Sequence, residues 1–211
     1  VDIDKLNDGA DESDLLPDTS LLFDDYVDWG IIPQDQADGG GVNLLKAGLV
    51  YDTRDVEANP NKGVWSEALL LTAPSFLGNT SPYTKLLLTH RQYFTLLPRR
   101  LTFAYRLTYQ PTISGEMPFY MMPFYFDSKK TESALGGSNT LRGIMRNRVV
   151  GEGFGMANLE LRWKFFKTVI FKQNLYLALV GFSDNGIITN KYDFSTENVP
   201  ADKKDWFTYQ D

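Results

Sequence analysis

The feature that most constrains the fold is a strict two-residue alternation in the segment from residue 101 to residue 110. The apolar positions of this alternation are Leu101, Phe103, Tyr105, Leu107 and Tyr109, and the polar positions between them include Arg106 and Gln110. Because successive side chains of a strand point to opposite faces, one face of this segment is apolar and the other is polar. Its length is close to the ~9–11 residues of a tilted membrane-spanning strand. The segment therefore predicts a β-strand whose two faces meet different environments.

The same reasoning predicts five more strands, over residues 42–55, 64–76, 83–97, 157–165 and 174–183. A seventh strand is predicted to begin within residues 206–209. Tight turns and long loops alternate between the six strands, which is typical of an up-and-down outer-membrane barrel. The pattern alone also fits a soluble sandwich, in which the apolar face packs on a second sheet. The charged residues on the polar face favour a barrel with a water-filled lumen over a soluble sandwich.

Composition excludes several classes of function. The 211 residues are 43% hydrophobic, carry a formal net charge of −6 and include no cysteine, so disulfides and thiolate metal sites are impossible. No basic cluster suggests nucleic-acid binding, and no apolar run approaches the ~18 residues of a membrane helix. Catalytic sequence motifs are absent. His90 is the single histidine, and we interpret it as structural. We therefore predict no enzyme activity, no catalytic residue, no metal ligand and no cofactor.

A glycine-rich segment between two strand-like runs is the first candidate site. Its notable residues are Gly136, Gly137, Leu141, Arg142, Gly143 and Ile144. The glycines allow positive φ and close backbone approach, so this loop can fold tightly. A buried guanidinium needs an anionic partner. Two candidate partners lie on the strands that follow, Glu160 and Asp184.

A second motif lies after the first predicted strand. It consists of Tyr51, Asp52, Arg54, Asp55, Pro60 and Gly63. Proline fixes φ, asparagine and glycine tolerate the left-handed region, and Asp/Arg pairs satisfy the chain ends. The chemistry is that of a capped turn.

Together the two motifs resemble the outer-membrane assembly barrels of the BamA/TamA type, also called the bacterial surface antigen family. The resemblance covers most of residues 42–186 and implies an all-β fold, an antiparallel up-and-down transmembrane β-barrel of sixteen strands. This chain matches the eighth to thirteenth strands, so it is expected to be a fragment with about six strands. The resemblance also implies that the glycine-rich loop folds back into the lumen. There Arg142 would pair with Asp184, with Glu160 close by, and the second motif would form a periplasmic turn. Ile144 stands where the family usually has an aromatic residue.

Two regions follow from these expectations. Residues 1–41 are predicted to be an acidic surface loop with one short helix near residues 19–29. A solvated loop explains its acidic residues better than a calcium site does, since no EF-hand pattern is present. Residues 42–211 are predicted to be a partial β-barrel domain, with a long lumenal loop over 114–155 and a second long loop over 187–205.

Three functional hypotheses remain open. The first is an outer-membrane barrel of the assembly or insertase type, which aids insertion or export of outer-membrane proteins in a Gram-negative bacterium. Its partners would be outer-membrane lipid and other outer-membrane proteins as clients or assembly partners, and not nucleic acid. The second is a barrel that anchors a fused surface or periplasmic domain, such as a lipase-like passenger. The third is a soluble β-sandwich binding module.

Overall fold

The computed structural model describes residues 3–16 and 21–207. These residues divide into two compact units, one over residues 39–192 and a smaller one formed by residues up to 38 together with residues from 193 onward. The strands are β1 Leu45–Asp52, β2 Gly63–Ala73, β3 Tyr83–Leu97, β4 Leu101–Gln110, β5 Thr112–Gly115, β6 Phe124–Phe126, β7 Thr131–Ser133, β8 Gly153–Ile170 and β9 Gln173–Asn190. The α-helices are α1 Ile3–Asn7 and α2 Leu22–Asp28, and 3-10 helices cover Gln34–Gln36, Ser75–Leu77, Phe119–Met121 and Lys204–Phe207.

The larger unit is built on one antiparallel sheet. Six of its seven strands follow the order β1-β2-β3-β4-β8-β9, and β5 pairs with β3. Every pairing in it is antiparallel. The connections 53–62, 98–100 and 171–172 lie at one end of the strands, and the connections 74–82 and 116–152 lie at the other. The predicted all-β, up-and-down arrangement is therefore present in the structure.

The strand boundaries differ from the predictions mainly at the last two strands. β3 and β4 have the predicted bounds, whereas β8 and β9 each extend over 18 residues. β9 continues to Asn190, so the second loop begins later than residue 187. The predicted seventh strand is wrong at Trp206 and Phe207, which lie in a 3-10 helix, and its other two positions lie outside the described residues. The helix predicted near residues 19–29 corresponds to α2.

The two faces of the sheet differ in what covers them. The inner face, defined here as the face under loop 116–152, carries buried side chains such as Trp65, Leu87 and Ala104. The opposite, outer face is apolar but exposed, as Leu107, Leu159 and others along the strands show. A soluble sandwich would cover its apolar face with a second sheet. Among the described residues, the covered face is the inner one and the apolar outer face is exposed. The sandwich alternative is therefore wrong.

Loop 116–152 packs on the inner face of the sheet through apolar clusters. One apolar cluster joins Phe126 of β6 to Leu69 and Leu87 of the sheet. Another joins Leu135 and Leu141 of the loop to Phe154 and Met156 of β8. Such burial contributes roughly 25 cal/mol for each Å² of apolar surface removed from water. The loop is thus a packed layer of the fold.

A polar group interrupts the apolar outer face. His90 of β3 lies opposite Leu107 of β4, and its Nδ1 is 2.8 Å from the Ser66 hydroxyl on β2. Its Nε2 is 3.2 Å from the Tyr105 hydroxyl, which donates to Gln92 Oε1 at 2.6 Å. These four side chains, here called the outer polar group, satisfy one another across three strands.

The smaller unit has its own aromatic core. Trp29, Ile31 and Val199 are buried together, with Tyr26 and Phe207 packed against them. Residues from both ends of the described chain therefore contribute to one cluster. Across residues 3–16 and 21–207, no helix is both long enough and apolar enough to cross a membrane.

Candidate functional site: the clasp on the inner face

The centre of the candidate site is the guanidinium of Arg142. Its Nε and one Nη donate to the two carboxylate oxygens of Asp184, each at 2.7 Å, and its backbone N–H donates to the same carboxylate at 3.0 Å. The other Nη donates to Glu160 Oε1 at 2.7 Å. We call these three residues the clasp. Bidentate pairs of this kind are among the stronger hydrogen-bonded contacts in proteins.

The sheet places the two carboxylates side by side. Glu160 lies on β8 and Asp184 on β9, and the register pairs Asn158 with Asp184. The Asn158 amide donates to Asp184 at 2.8 Å and to the Thr140 carbonyl at 2.6 Å. Asn158 therefore ties the strand, the carboxylate and the loop together. Sequence reasoning did not assign it a role, because only its place opposite Asp184 shows that role.

The environment of Arg142 favours its charged form. Its guanidinium lies over the ring of Phe182 at 3.8 Å from the centroid, a distance at which cation–π attraction contributes. The hydrogen bond to Asp184 raises the pKa of Arg142 further above its usual range. The Asp184 side chain is 3% exposed, so its carboxylate depends on these partners.

The glycines of the motif shape the backbone that presents Arg142. Gly136 has φ 112°, and a Cβ there would lie 2.3 Å from the Met145 carbonyl oxygen. Gly137 N–H donates to the Ile144 carbonyl at 2.8 Å. Gly143, at φ 88°, turns the chain directly after Arg142. The loop can therefore narrow to a closed tip only with glycine at these positions.

The two apolar positions of the motif differ. Leu141 is 4% exposed and packs against Leu135 and Phe154, so it inserts beside the clasp. Ile144 is 41% exposed and is not part of the clasp. Gly186 on β9 also belongs to this contact, because a Cβ there would lie 2.7 Å from Leu141 Cδ1. Nothing in the sequence pattern pointed to Gly186.

The second predicted motif forms the connection between β1 and β2. Arg54 Nε and Nη2 donate to Asp52 at 2.9 and 2.7 Å. Asp55 Oδ1 accepts backbone N–H groups of Val56, Asn61 and Lys62 at 3.0, 2.9 and 3.3 Å. Burial raises the pKa of Asp55, but these backbone hydrogen bonds outweigh it and hold the pKa below its ordinary value.

The remaining members of the turn motif have separate surroundings. Pro60 is buried. Gly63 has φ 103°, and a Cβ there would lie 2.4 Å from the Thr53 carbonyl oxygen. Tyr51 is 64% exposed. The structure thus brings the charged members of the motif together and leaves Tyr51 outside their contacts.

Loop 116–152 links the clasp region to this turn. The hairpin of β6 and β7 carries Lys129 at its tip, and Lys129 pairs with Glu57 of the β1–β2 connection. Ser128 N–H donates to Glu67 on β2 at 3.0 Å. The loop begins at one end of the strands, and its hairpin contacts the connection at the other end. It therefore spans the inner face.

The comparison with protein families agrees with this architecture. The Omp85 superfamily domain matches residues 35–205. The chain belongs to the Omp85 superfamily. Proteins of this superfamily are outer-membrane β-barrels that insert, assemble or transport proteins in Gram-negative bacteria and organelles, so the transmembrane β-barrel fold class applies to this chain. The match is consistent with the BamA/TamA resemblance. No curated protein and no solved structure matches the chain significantly.

The carboxylates of the clasp bind arginine side chains. Within residues 3–16 and 21–207, no group of His, Cys, Asp or Glu side chains could hold a metal ion. The acidic residues of the clasp are occupied by Arg142 and Arg162. The arrangement can hold a loop against a sheet, which is a structural function.

Proposed function

We propose that this Omp85 superfamily chain is a non-enzymatic assembly barrel of the insertase type in the outer membrane of a Gram-negative bacterium. It aids the insertion or export of other outer-membrane proteins, which are its clients. The observation that carries the proposal is the clasp, since Arg142 binds Asp184 and Glu160 on two adjacent strands. Under this proposal, the glycine-rich motif forms a lumenal loop and the second motif forms a periplasmic turn. The partners are outer-membrane lipid and other outer-membrane proteins.

The outer face of β8 and β9 is exposed and apolar, as Leu161, Trp163 and Leu179 show. Apolar residues on the outside and charged residues on the inside are typical of strands that lie between lipid and a wet lumen. Outer-membrane lipid is therefore the partner of the outer face.

A barrel that opens to accept client strands needs a wall that stays ordered while the opening forms. The clasp links loop 116–152 to β8 and β9 at once, and Gln110 on β4 hydrogen-bonds both backbone groups of Phe126 in the loop. The loop thus supports three strands from inside. This support is the role that we propose for Arg142, Glu160 and Asp184.

The test is a client-folding assay. The full chain is reconstituted in vesicles of phosphatidylethanolamine and phosphatidylglycerol, and a urea-denatured small outer-membrane barrel is added as client. Client folding is followed by the mobility shift of unboiled barrel on a gel. We expect faster folding than in empty vesicles, a reduced rate for Arg142→Ala, and the wild-type rate for Arg146→Ala, an exposed arginine of the same loop.

Vesicles with an unrelated folded barrel control for membrane defects. A client-folding rate equal to that control would overturn the insertase proposal. Equal rates for wild type and Arg142→Ala, with both folded, would overturn the role of the clasp in it.

A further inference from the structure

A cavity of about 230 Å³ lies beside the clasp on the inner face. Four arginines line it, namely Arg91 of β3, Arg106 of β4, Arg162 of β8 and Arg142 of the loop. Glu160 is the carboxylate in the lining, and its two oxygens accept from Arg142 and Arg162. Two guanidinium groups of the cavity are therefore left without this carboxylate.

Arg91 and Arg106 face each other directly. They are Cα partners in the register of β3 and β4, and both line the cavity. Directly opposed side chains on one face of a sheet have Cβ atoms about 4.5–5.5 Å apart, and like charges in such a pair destabilise it. Negative charge near the two side chains would reduce this repulsion.

Carboxylates offset this repulsion only in part. Arg106 donates to the Asn158 side-chain oxygen at 2.8 Å and to the Asn139 carbonyl at 2.5 Å, and it forms no ion pair within the described residues. Arg91 forms an ion pair at 3.7 Å with the buried Asp127, and this distance is too long for a hydrogen bond. Its Nε is buried and lacks a hydrogen-bond partner among the described residues.

The arginine side chains are held in place for a ligand. The guanidinium of Arg91 stacks on the Trp65 ring at 4.2 Å from its centroid. The two hydrogen bonds of Arg106 fix its orientation in the same way. Ser138, an exposed loop residue of the lining, adds a hydroxyl group. Ordered donors lose less conformational entropy on binding than mobile ones do.

We infer that this arginine pocket binds a phosphate group, as inorganic phosphate or as a small phosphate monoester. A phosphate carries about −1.5 to −2 charge at neutral pH and offers three or more acceptor oxygens. It can therefore accept hydrogen bonds from both guanidinium groups and from Ser138, and it can offset the charge of Arg106. A carboxylate has two oxygens, which one guanidinium fork already satisfies.

The experiment is calorimetric titration of the full chain, folded in detergent micelles in phosphate-free buffer at pH 7.5. Inorganic phosphate, glycerol 3-phosphate and acetate are titrated separately. We expect saturable binding of at least one phosphate compound and at least about tenfold weaker binding of acetate, which corresponds to the loss of one charge-assisted contact. Binding of glycerol 3-phosphate identifies a monoester site, and binding of inorganic phosphate alone identifies a site for the free anion.

Variants show whether the pocket is responsible. Arg91→Gln and Arg106→Gln should each weaken phosphate binding at least about tenfold. Arg106→Lys, which keeps the charge but loses the planar fork, should lie between wild type and Arg106→Gln. Arg100→Gln, in the exposed β3–β4 connection, removes the same charge elsewhere and should bind as wild type does.

A second measurement guards against misfolded variants. The melting temperature of each variant is recorded with and without phosphate, and only variants with a cooperative transition are compared. At one phosphate concentration, the rise in melting temperature should be similar for the wild type and Arg100→Gln and clearly smaller for Arg91→Gln. Absence of saturable phosphate binding to the wild type, equal affinity for acetate, or equal weakening by Arg100→Gln would each overturn the proposal.

Discussion

Arg142 and Asp184 form a bidentate ion pair between the tip of a loop and the middle of a strand, with both side-chain contacts at 2.7 Å. The two residues are 42 positions apart in the sequence. The pair therefore closes a long segment of chain onto the inner face of the sheet. Because the Asp184 side chain is 3% exposed, removal of the arginine leaves a buried carboxylate without its main partner.

We expect Arg142→Ala to lower the free energy of unfolding by about 2–4 kcal/mol. Arg142 is itself 27% exposed, so the loss falls below that of a fully buried pair. Urea denaturation in detergent micelles measures it. Limited proteolysis should cut the loop in this variant sooner than in the wild type.

Arg146→Ala is the matched control for this prediction, since it removes one exposed arginine from the same loop. In a double-mutant cycle, Asp184→Asn should cost much less in the Arg142→Ala background than in the wild type. Strict additivity of the two changes would contradict a direct clasp.

Gly186→Ala should loosen the loop from the opposite side. The added Cβ would lie 2.7 Å from Leu141 Cδ1, and Leu141 is buried, so it cannot move freely into solvent. Overpacking of this kind costs about 1–3 kcal/mol. Chemical denaturation again provides the measurement, together with the rate of proteolysis near residue 141.

Gly181 provides the control on the same strand, because a Cβ there would have nothing within 4 Å. Gly181→Ala should change the free energy of unfolding by less than about 0.5 kcal/mol. Replacing Leu141 by the smaller valine should recover part of the loss in the Gly186→Ala variant. A Gly186→Ala protein as stable as Gly181→Ala would show that Leu141 does not occupy this place.

The outer polar group predicts a difference between two tyrosines on β4. The Tyr105 hydroxyl joins His90 and Gln92, so Tyr105→Phe leaves both without that partner on an apolar face. We expect a loss of about 1–2 kcal/mol. Tyr109→Phe on the same face should cost less, because Tyr109 is 45% exposed and its hydroxyl forms no hydrogen bond with the residues that the structure describes. Equal effects in lipid vesicles would contradict a structural role of the group.

Acid should weaken the β1–β2 connection. Backbone hydrogen bonds hold the pKa of Asp55 below its ordinary value in the folded chain, so the ionised carboxylate stabilises the fold above the unfolded pKa of about 3.9. This contribution is lost as the pH falls below that value, through the folded pKa. Amide hydrogen exchange at Asn61 and Lys62 measures it.

Asp55→Asn keeps one acceptor oxygen but removes the titrating charge. Exchange at Asn61 and Lys62 in this variant should therefore depend much less on pH across the same range. Parallel pH profiles for wild type and variant would mean that Asp55 does not hold the turn.

Local patterns predicted the parts of the fold that local chemistry determines. The bounds of β3 and β4 follow from Pro82, the connection 98–100 and Pro111, and β4 also alternates cleanly. The start of β8 and the end of β9 were missed, since Gly153, Gly155 and Gly186 interrupt the alternation there yet remain paired. Glycine weakens a strand signal without preventing pairing when the neighbouring strand holds it.

The candidate site also combines features that local chemistry predicts with features that depend on strand pairing. Turn chemistry predicted a capped connection at Asp52, Arg54 and Asp55, whereas the partners of Arg142 came from family resemblance. The hairpin of β6 and β7 and the opposition of Arg91 and Arg106 depend on strand register. Register is a property of the assembled sheet, so a single sequence without its pairing does not display it.

The clasp also affects how β8 and β9 respond to a pulling force. The hydrogen bonds between two antiparallel strands break one after another when a chain is pulled out of a membrane, so each hairpin should yield gradually. Arg142 connects the loop to β8 and β9 together, and those strands pair along nearly their whole length. Extraction of this hairpin must rupture several charged contacts in a single event. In force spectroscopy, extraction of β8 and β9 should give one sharp peak of high rupture force. In Arg142→Ala, the force should instead change gradually with extension.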